Sequence, residues 1–192
     1  TKLRDVLLQE PEVLVVRDLV NKETLEKLCE EARKNLLVLT TVRAKESVEA
    51  LARIMSLKMD ATQFAKTVTA VLNQRLIRRL CEECKEAYKP PPHVLKQLGV
   101  PQGRVEAFYR PPKEPEKVCP ACQGVGYVGR TGLFELLVVG KTTRQALAAR
   151  AKLDVLRQAA RKDGMKTMQE EGVLLVVKGI TSLEELQRVM KQ

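Results

Sequence analysis

Apolar residues fall on a helical period at the start of the chain, with Leu3, Val6 and Leu7 on one face before Pro11 stops the pattern. Residues 13–16 are wholly apolar, the form of a buried parallel strand. Asn21 stands where it can cap a helix in which Leu25, Leu28, Cys29 and Ala32 recur at i, i+3, i+4 and i+7. Residues 36–39 repeat the buried-strand pattern. Two helices then follow, the first with Val48, Leu51, Ala52 and Met55 on one face, the second with Phe64, Val68, Val71 and Leu72. Residues 75–80 read as a strand. Helix and strand thus alternate through residues 1–80, the order of an α/β domain with a parallel sheet.

The pattern changes at Cys81. Pro90, Pro91 and Pro92 interrupt the chain, Val94, Leu95 and Leu98 predict a short helix ended by Gly99, and Pro111, Pro112 and Pro115 mark an exposed loop. Four glycines lie from Gly124 to Gly132. A phosphate-cradling loop would place them so, but no Gly-Lys-Ser/Thr follows, and a tight turn beside the cysteines is expected instead. Residues 133–139 predict a strand containing Glu135. From residue 141 onward only helical patterns remain, starting near Thr143, Leu153 and Lys166. A capping box of Thr181 and Glu184 is expected to open the last helix, with Leu183, Leu186, Val189 and Met190 on its apolar face. Three parts follow: 1–80, 81–135 and 136–192.

The candidate chemistry sits in the middle part. Cys81-Glu82-Glu83-Cys84 and Cys119-Pro120-Ala121-Cys122 form two Cys-x-x-Cys knuckles separated by residues 85–118. Two residues between cysteines let one turn aim both sulfurs at one ion. Two such turns complete a tetrahedron with Zn–S distances of about 2.3 Å. Four thiolates leave no position for water, so the expected zinc site is structural. Two disulfides or four ordinary buried thiols are the alternatives. Cys29 lies on the apolar stripe of its helix and reads as a packed thiol. His93, beside the proline run, reads as an exposed loop residue and not as a ligand.

Composition narrows the picture. Of 192 residues 44% are hydrophobic but only 3% aromatic, with no Trp, so the core must be aliphatic. The net charge of +10 invites nucleic acid, an anionic membrane surface or an acidic protein as partner. A basic zinc-containing nucleic-acid-binding module is the alternative reading, weakened by the scarcity of aromatic stacking platforms. Arg75, Arg78 and Arg79 cannot form one flat patch on a strand, because Arg78 faces away from the other two. At least one of them is expected to meet an acidic group. There is no signal-peptide pattern and no apolar run of the ~18 residues that a membrane span needs. The chain opens at Thr1 directly into a helical pattern and is expected to be a piece of a longer protein.

Several stretches carry a resemblance that periodicity does not supply: residues 11–16, Leu37-Val38-Leu39-Thr40-Thr41, residues 74–81, Gly129-Arg130-Thr131-Gly132-Leu133-Phe134-Glu135-Leu136, residues 164–168 and residues 179–185. Over nearly its whole length the chain resembles the C-terminal half of the type II secretion and type IV pilus assembly ATPases. The four-cysteine insertion followed by Gly-Arg-Thr-Gly is the most specific part. The resemblance implies a partial RecA-like parallel sheet with helices, a zinc module and a helical C-terminal domain. It also implies a hexameric cytoplasmic motor, peripheral to the bacterial inner membrane, whose partners are secretion or pilus platform proteins, with no specific nucleic acid. ATP and Mg²⁺ would bind only in a full-length member. The family's phosphate loop has no counterpart here, since no Gly-x-x-x-x-Gly-Lys-Ser/Thr is present. Where the family writes Gly-Glu after its Walker B strand, this chain has Arg17-Asp18, so Asp18 stands at the catalytic Glu position. Arg43 stands at the position of the family's His-box histidine. This implies a chain that does not hydrolyse ATP alone and that serves assembly or partner docking.

Overall fold

The computed structural model describes residues 2–19, 21–101, 103, 105–114 and 117–191. Thr1, Val20 of the segment after the first strand, and Pro115 of the proline loop lie outside the described residues. The chain forms two compact units, each discontinuous in sequence. One comprises residues 1–72 and 136–165, the other residues 73–135 and 166–192.

In the first unit α1 (Lys2–Leu7) leads to β1 (Val13–Val16), α2 (Lys22–Ala32) and β2 (Leu37–Thr40). The strands pair in parallel, Val13 opposite Leu37 and Val16 opposite Thr40. Asn21 caps α2 as its position predicts, its side chain accepting from the Thr24 N–H at 2.8 Å. The expectation that both strands are buried is corrected. Val15 is 64% exposed, and Val13, Leu37 and Leu39 are also open to solvent. A run of apolar residues marks a strand, but it does not say whether one face or both will be covered. Here the two strands stand alone among the described residues, and alternate side chains are left uncovered.

The core of this unit lies elsewhere. α3 (Ser47–Ser56) and α4 (Ala61–Thr67) bury Val48, Leu51, Ile54 and Phe64 with Leu25 and Cys29 of α2. α6 (Lys141–Ala148) and α7 (Leu153–Lys162) add Leu147, Leu156 and Ala160. Cys29 is 4% exposed, and burial pushes its thiol above the usual range, so it behaves as a packed apolar residue. The helix expected to reach Leu72 ends at Thr67 instead, because Val68 turns extended and Val71 and Leu72 join a strand. β-branched residues at 67–69 favour that exit from the helix. Asp163 closes the start of α6. Its carboxylate accepts from the Thr142 and Thr143 N–H groups at 3.2 and 2.7 Å. Gly140 leaves the room, since a Cβ there would stand 2.6 Å from the Asp163 carboxyl carbon.

β3 (Ala70–Leu80) and β6 (Tyr127–Val138) pair with each other. Cys81 N–H donates to the Gly126 carbonyl at one end and Val139 N–H to the Thr69 carbonyl at the other, so the strands run antiparallel. Both are longer than the sequence suggests. The Gly129–Gly132 segment, expected to be a turn, lies within β6.

In the second unit β4 (Glu86–Tyr88) pairs antiparallel with β5 (Phe108–Arg110), and α5 (Pro92–Gln97) lies between them in sequence. α8 (Met168–Val177) and α9 (Leu183–Met190) complete it. Its core joins Ile77 of β3, Phe108, Leu133 of β6, Val176 and Val189. α8 and α9 approach closely at Gly172, where a Cβ would meet Leu186 Cδ1 at 2.2 Å. The capping box expected at Thr181 is corrected by one residue: Ser182 caps α9, accepting from the Glu185 N–H at 3.1 Å. A full capping box exists instead between Thr167 and Glu170.

Glu185 is the central ionic group of this unit. It is 1% exposed and receives Arg78 at 2.6 Å and Arg188 at 2.7 Å. The Arg78 guanidinium also lies 4.2 Å from the Tyr127 ring centre, and the Tyr127 hydroxyl meets Ser182 Oγ at 2.7 Å. Arg75 donates to the Val189 carbonyl, while Arg79 is exposed. Arg78 therefore makes the acidic contact expected of the trio.

Two outcomes follow. Leu51→Ala should cost about 2–5 kcal/mol in urea unfolding, because Leu51 is wholly buried, whereas Val15→Thr should change stability by less than about 0.5 kcal/mol. Burial pushes the Glu185 carboxyl up, but donation from Arg188 and Arg78 outweighs it and holds it at about 2. A carboxylate depressed on folding stabilises at neutral pH, and its contribution drains away as pH falls from about 4.5 towards 2. Glu185→Gln should lower stability at pH 7 by up to about 3 kcal/mol, since it leaves two arginines without their anion. Acid unfolding followed by circular dichroism should show the two proteins converging below about pH 3.

Candidate metal centre and the ends of the parallel strands

The two knuckles are delivered by the ends of β3 and β6. Cys81 directly follows β3, and Cys122 precedes the turn that enters β6. The turn is built from left-handed residues, with Gln123 at φ 53°, Gly124 at 81° and Gly126 at 78°. Gly126 is required there twice over: a Cβ would also lie 2.5 Å from Pro111 Cβ. The Gly126 N–H points back at Cys122 Sγ at 3.2 Å. Backbone geometry thus locks the second knuckle against the first, through the Cys81 N–H to Gly126 carbonyl bond of 3.0 Å.

The four sulfurs lie within 4.8 Å of one another. Cys81 and Cys119 are 3.9 Å apart, and Cys84 and Cys122 are 3.6 Å apart. A tetrahedron of sulfurs about 2.3 Å from a central zinc has edges of about 3.8 Å. The observed separations fit that edge and are far from a bonded disulfide at about 2.05 Å. All four are free thiols, so the disulfide alternative is not what the structure adopts. Burial pushes Cys122 up, but donation from the Gly126 N–H and the neighbouring thiols brings it down to about 7. Cys84 is displaced upward by burial and by the thiols around it. Thiols this close cannot all ionise without a cation among them, and the donor set is that of a soft divalent ion. These four cysteines could hold a metal. His93 is exposed at the start of α5, outside the cysteine group.

Asp18 and Arg43 both lie just beyond the C-terminal ends of parallel strands, where open α/β sheets bind ligands. Asp18 follows β1 with φ 51°, a left-handed conformation that Asp tolerates better than most residues. Its N–H donates to Thr41 Oγ1 at 3.1 Å, and the Leu19 N–H donates to the Thr41 carbonyl at 3.4 Å. Thr41 therefore ties the loop after β1 to the segment after β2 that carries Arg43. Sequence reasoning assigned Thr41 no role, although Thr40-Thr41 closes one of its quoted motifs. Both Asp18 and Arg43 are exposed.

The chain shares its fold with two solved structures. The pilus retraction motor PilT with bound ADP aligns at a TM-score of 0.61 and 17% identity, over 98% of this chain and 42% of that one. The ATPase DotB of Yersinia pseudotuberculosis aligns at a TM-score of 0.63 and 15% identity, over 98% of this chain and 39% of that one. The sequence matches the family described as "Type II/IV secretion system protein" over residues 1–188, and the chain belongs to that family. It is 33% identical over 186 residues to the type IV pilus assembly ATPase PilB of Thermus thermophilus, covering 96% of this chain and 20% of the relative. It is 32% identical over 190 residues to the protein transport protein HofB homolog of Escherichia coli, covering 98% and 39%. The type II secretion system protein HxcR of Pseudomonas aeruginosa is also 32% identical, with 98% and 36% covered. The chain thus spans about a fifth to two fifths of the length of these relatives. Among the described residues no helix is long and apolar enough to cross a membrane.

The purified chain is expected to carry one zinc per molecule by elemental analysis. Cys84→Ser should abolish stoichiometric zinc and expose the backbone of residues 81–135 to hydrogen exchange, while α3 and α4 keep their protection.

Proposed function

We propose that this chain is the C-terminal portion of a secretion or pilus-assembly motor ATPase, acting in assembly and partner docking and not in hydrolysis by itself. The observation that carries this reading is the family match over residues 1–188, on a fold that brings the Asp18 and Arg43 segments together at the ends of two parallel strands. In this reading residues 1–80 are the C-terminal part of a RecA-like core, 81–135 a zinc module and 136–192 a helical domain. The motor works as a homo-hexamer on the cytoplasmic side of the bacterial inner membrane, against platform proteins.

Cys81, Cys84, Cys119 and Cys122 would hold the zinc, which supplies a cross-link between knuckles and no reactive water. ATP and Mg²⁺ belong to the longer protein. Phosphoryl transfer depends on a backbone cradle and a lysine around the β- and γ-phosphates, and this chain has no such loop. Asp18 is one methylene shorter than the family's Glu, and at that reduced reach it could touch Mg²⁺ through water or orient a nucleophile. Arg43 keeps positive charge near a γ-phosphate. The lysines and arginines that give the chain its charge of +10 would meet acidic groups of neighbouring subunits and platform proteins.

The isolated chain is expected to release phosphate from Mg·ATP at the rate of buffer alone in a coupled assay. Turnover that disappears on Asp18→Ala would overturn this reading.

A further inference from the structure

We propose that the four-cysteine cluster is also a redox site at which peroxide closes disulfides across the two knuckles and not within them. The oxidised second unit then stays cross-linked after its metal is gone. The inference rests on the metal reading above for what is released, but not for the pairing of the sulfurs.

The pairing follows from where the sulfurs lie. Cys84 is 3.6 Å from Cys122, and Cys81 is 3.9 Å from Cys119. Each pair joins one knuckle to the other. In each pair one thiol is half-buried, Cys84 or Cys119, and the other is buried, Cys122 or Cys81. A half-buried sulfur can meet a small oxidant, while a buried neighbour is shielded from it and free to resolve the product. The backbone holds this arrangement without help from the sulfurs. The Cys81 N–H to Gly126 carbonyl bond of 3.0 Å fixes the first knuckle to the turn after the second.

The chemistry balances with hydrogen peroxide as the oxidant. The Cys84 sulfur attacks one peroxide oxygen, the O–O bond breaks, hydroxide leaves and takes up the thiol proton, and a sulfenic acid remains. The Cys122 thiolate then attacks the Cys84 sulfur. The S–S bond forms, the S–O bond breaks, and a second hydroxide leaves. The two sulfurs lose two electrons and the peroxide oxygens gain them. Both hydroxides take up protons and become water. Cys119 and Cys81 repeat the sequence with a second peroxide. A disulfide sulfur is no longer a thiolate donor, so the ion is released as its ligands are consumed.

The consequence differs from that of oxidation within each knuckle. Disulfides Cys81–Cys84 and Cys119–Cys122 would leave no sulfur cross-link between the knuckles once the ion left, and they would be joined by the β3–β6 pairing and the backbone bond at Gly126. Disulfides across the knuckles replace one cross-link by another between the same segments.

The experiment treats the purified chain with two equivalents of hydrogen peroxide. Zinc content is measured beforehand by elemental analysis, which tests the metal reading separately. Released zinc is then followed with a chromogenic chelator. The oxidised protein is cleaved without reduction after the lysines between residues 84 and 119. The expected result is one cross-linked species joining the peptide that holds Cys81 and Cys84 to the peptide that holds Cys119 and Cys122. It should be four mass units lighter than the sum of the two, and dithiothreitol should return both. Amide hydrogen exchange at β3 and β6 should rise less than threefold on oxidation. Two separate peptides, each two mass units lighter, would overturn the proposal. So would sulfinic or sulfonic acids as the main products, or four thiols left unreacted while Cys29 is modified. A chain that carries no zinc yet gives the cross-linked species refutes the metal reading and leaves the pairing standing.

Discussion

The pairing of β3 with β6 is the constraint on which both units depend. Inward residues of this one ladder enter two cores: Ile77 and Leu133 in one, Leu137 in the other. The same ladder delivers the cysteine knuckles, because Cys81 follows the end of β3 and Cys122 precedes the start of β6. Residues 85–118 can therefore make a long excursion without loosening the cluster. The loop-closure entropy of that excursion is offset by the strands before any sulfur meets a metal. A metal held there would have only a local task. It would fix the tips of two strands already held in register by the Cys81 to Gly126 bond.

What the sequence made legible was whatever depends on local chemistry. Asn21 caps α2 because an Asn before an amphipathic run satisfies an orphan N–H wherever that run packs. The cysteine spacing marks four residues whose sulfurs the fold brings within 4.8 Å of one another. Burial was less legible. The apolar run at residues 13–16 correctly marks a parallel strand, yet Val13 and Val15 are exposed, since covering a face depends on which neighbours exist. Boundaries failed where two signals competed. Thr181 and Ser182 can each cap a helix, and Ser182 wins because Thr181 Oγ1 donates to the Arg78 carbonyl at 2.8 Å. Glu185 shows a deeper limit. On the sequence it is one of two adjacent glutamates, and only the return of α9 to β3 gives it Arg78.

The strand ends after β1 and β2 show how a fold can fix the geometry of two segments independently of the side chains they present. Thr41 holds the Asp18 loop by a side-chain and a backbone acceptor, so the two segments stay adjacent whatever residues they present. Asp18 sits in a left-handed conformation that this tether stabilises. Strain of that kind persists only where surrounding structure fixes it, and the tether is what fixes it here. The frame is thus separable from the groups it carries. A carboxylate and a guanidinium placed on it can order a phosphate or an acidic neighbour by charge. Neither forms the backbone cradle that phosphoryl transfer requires.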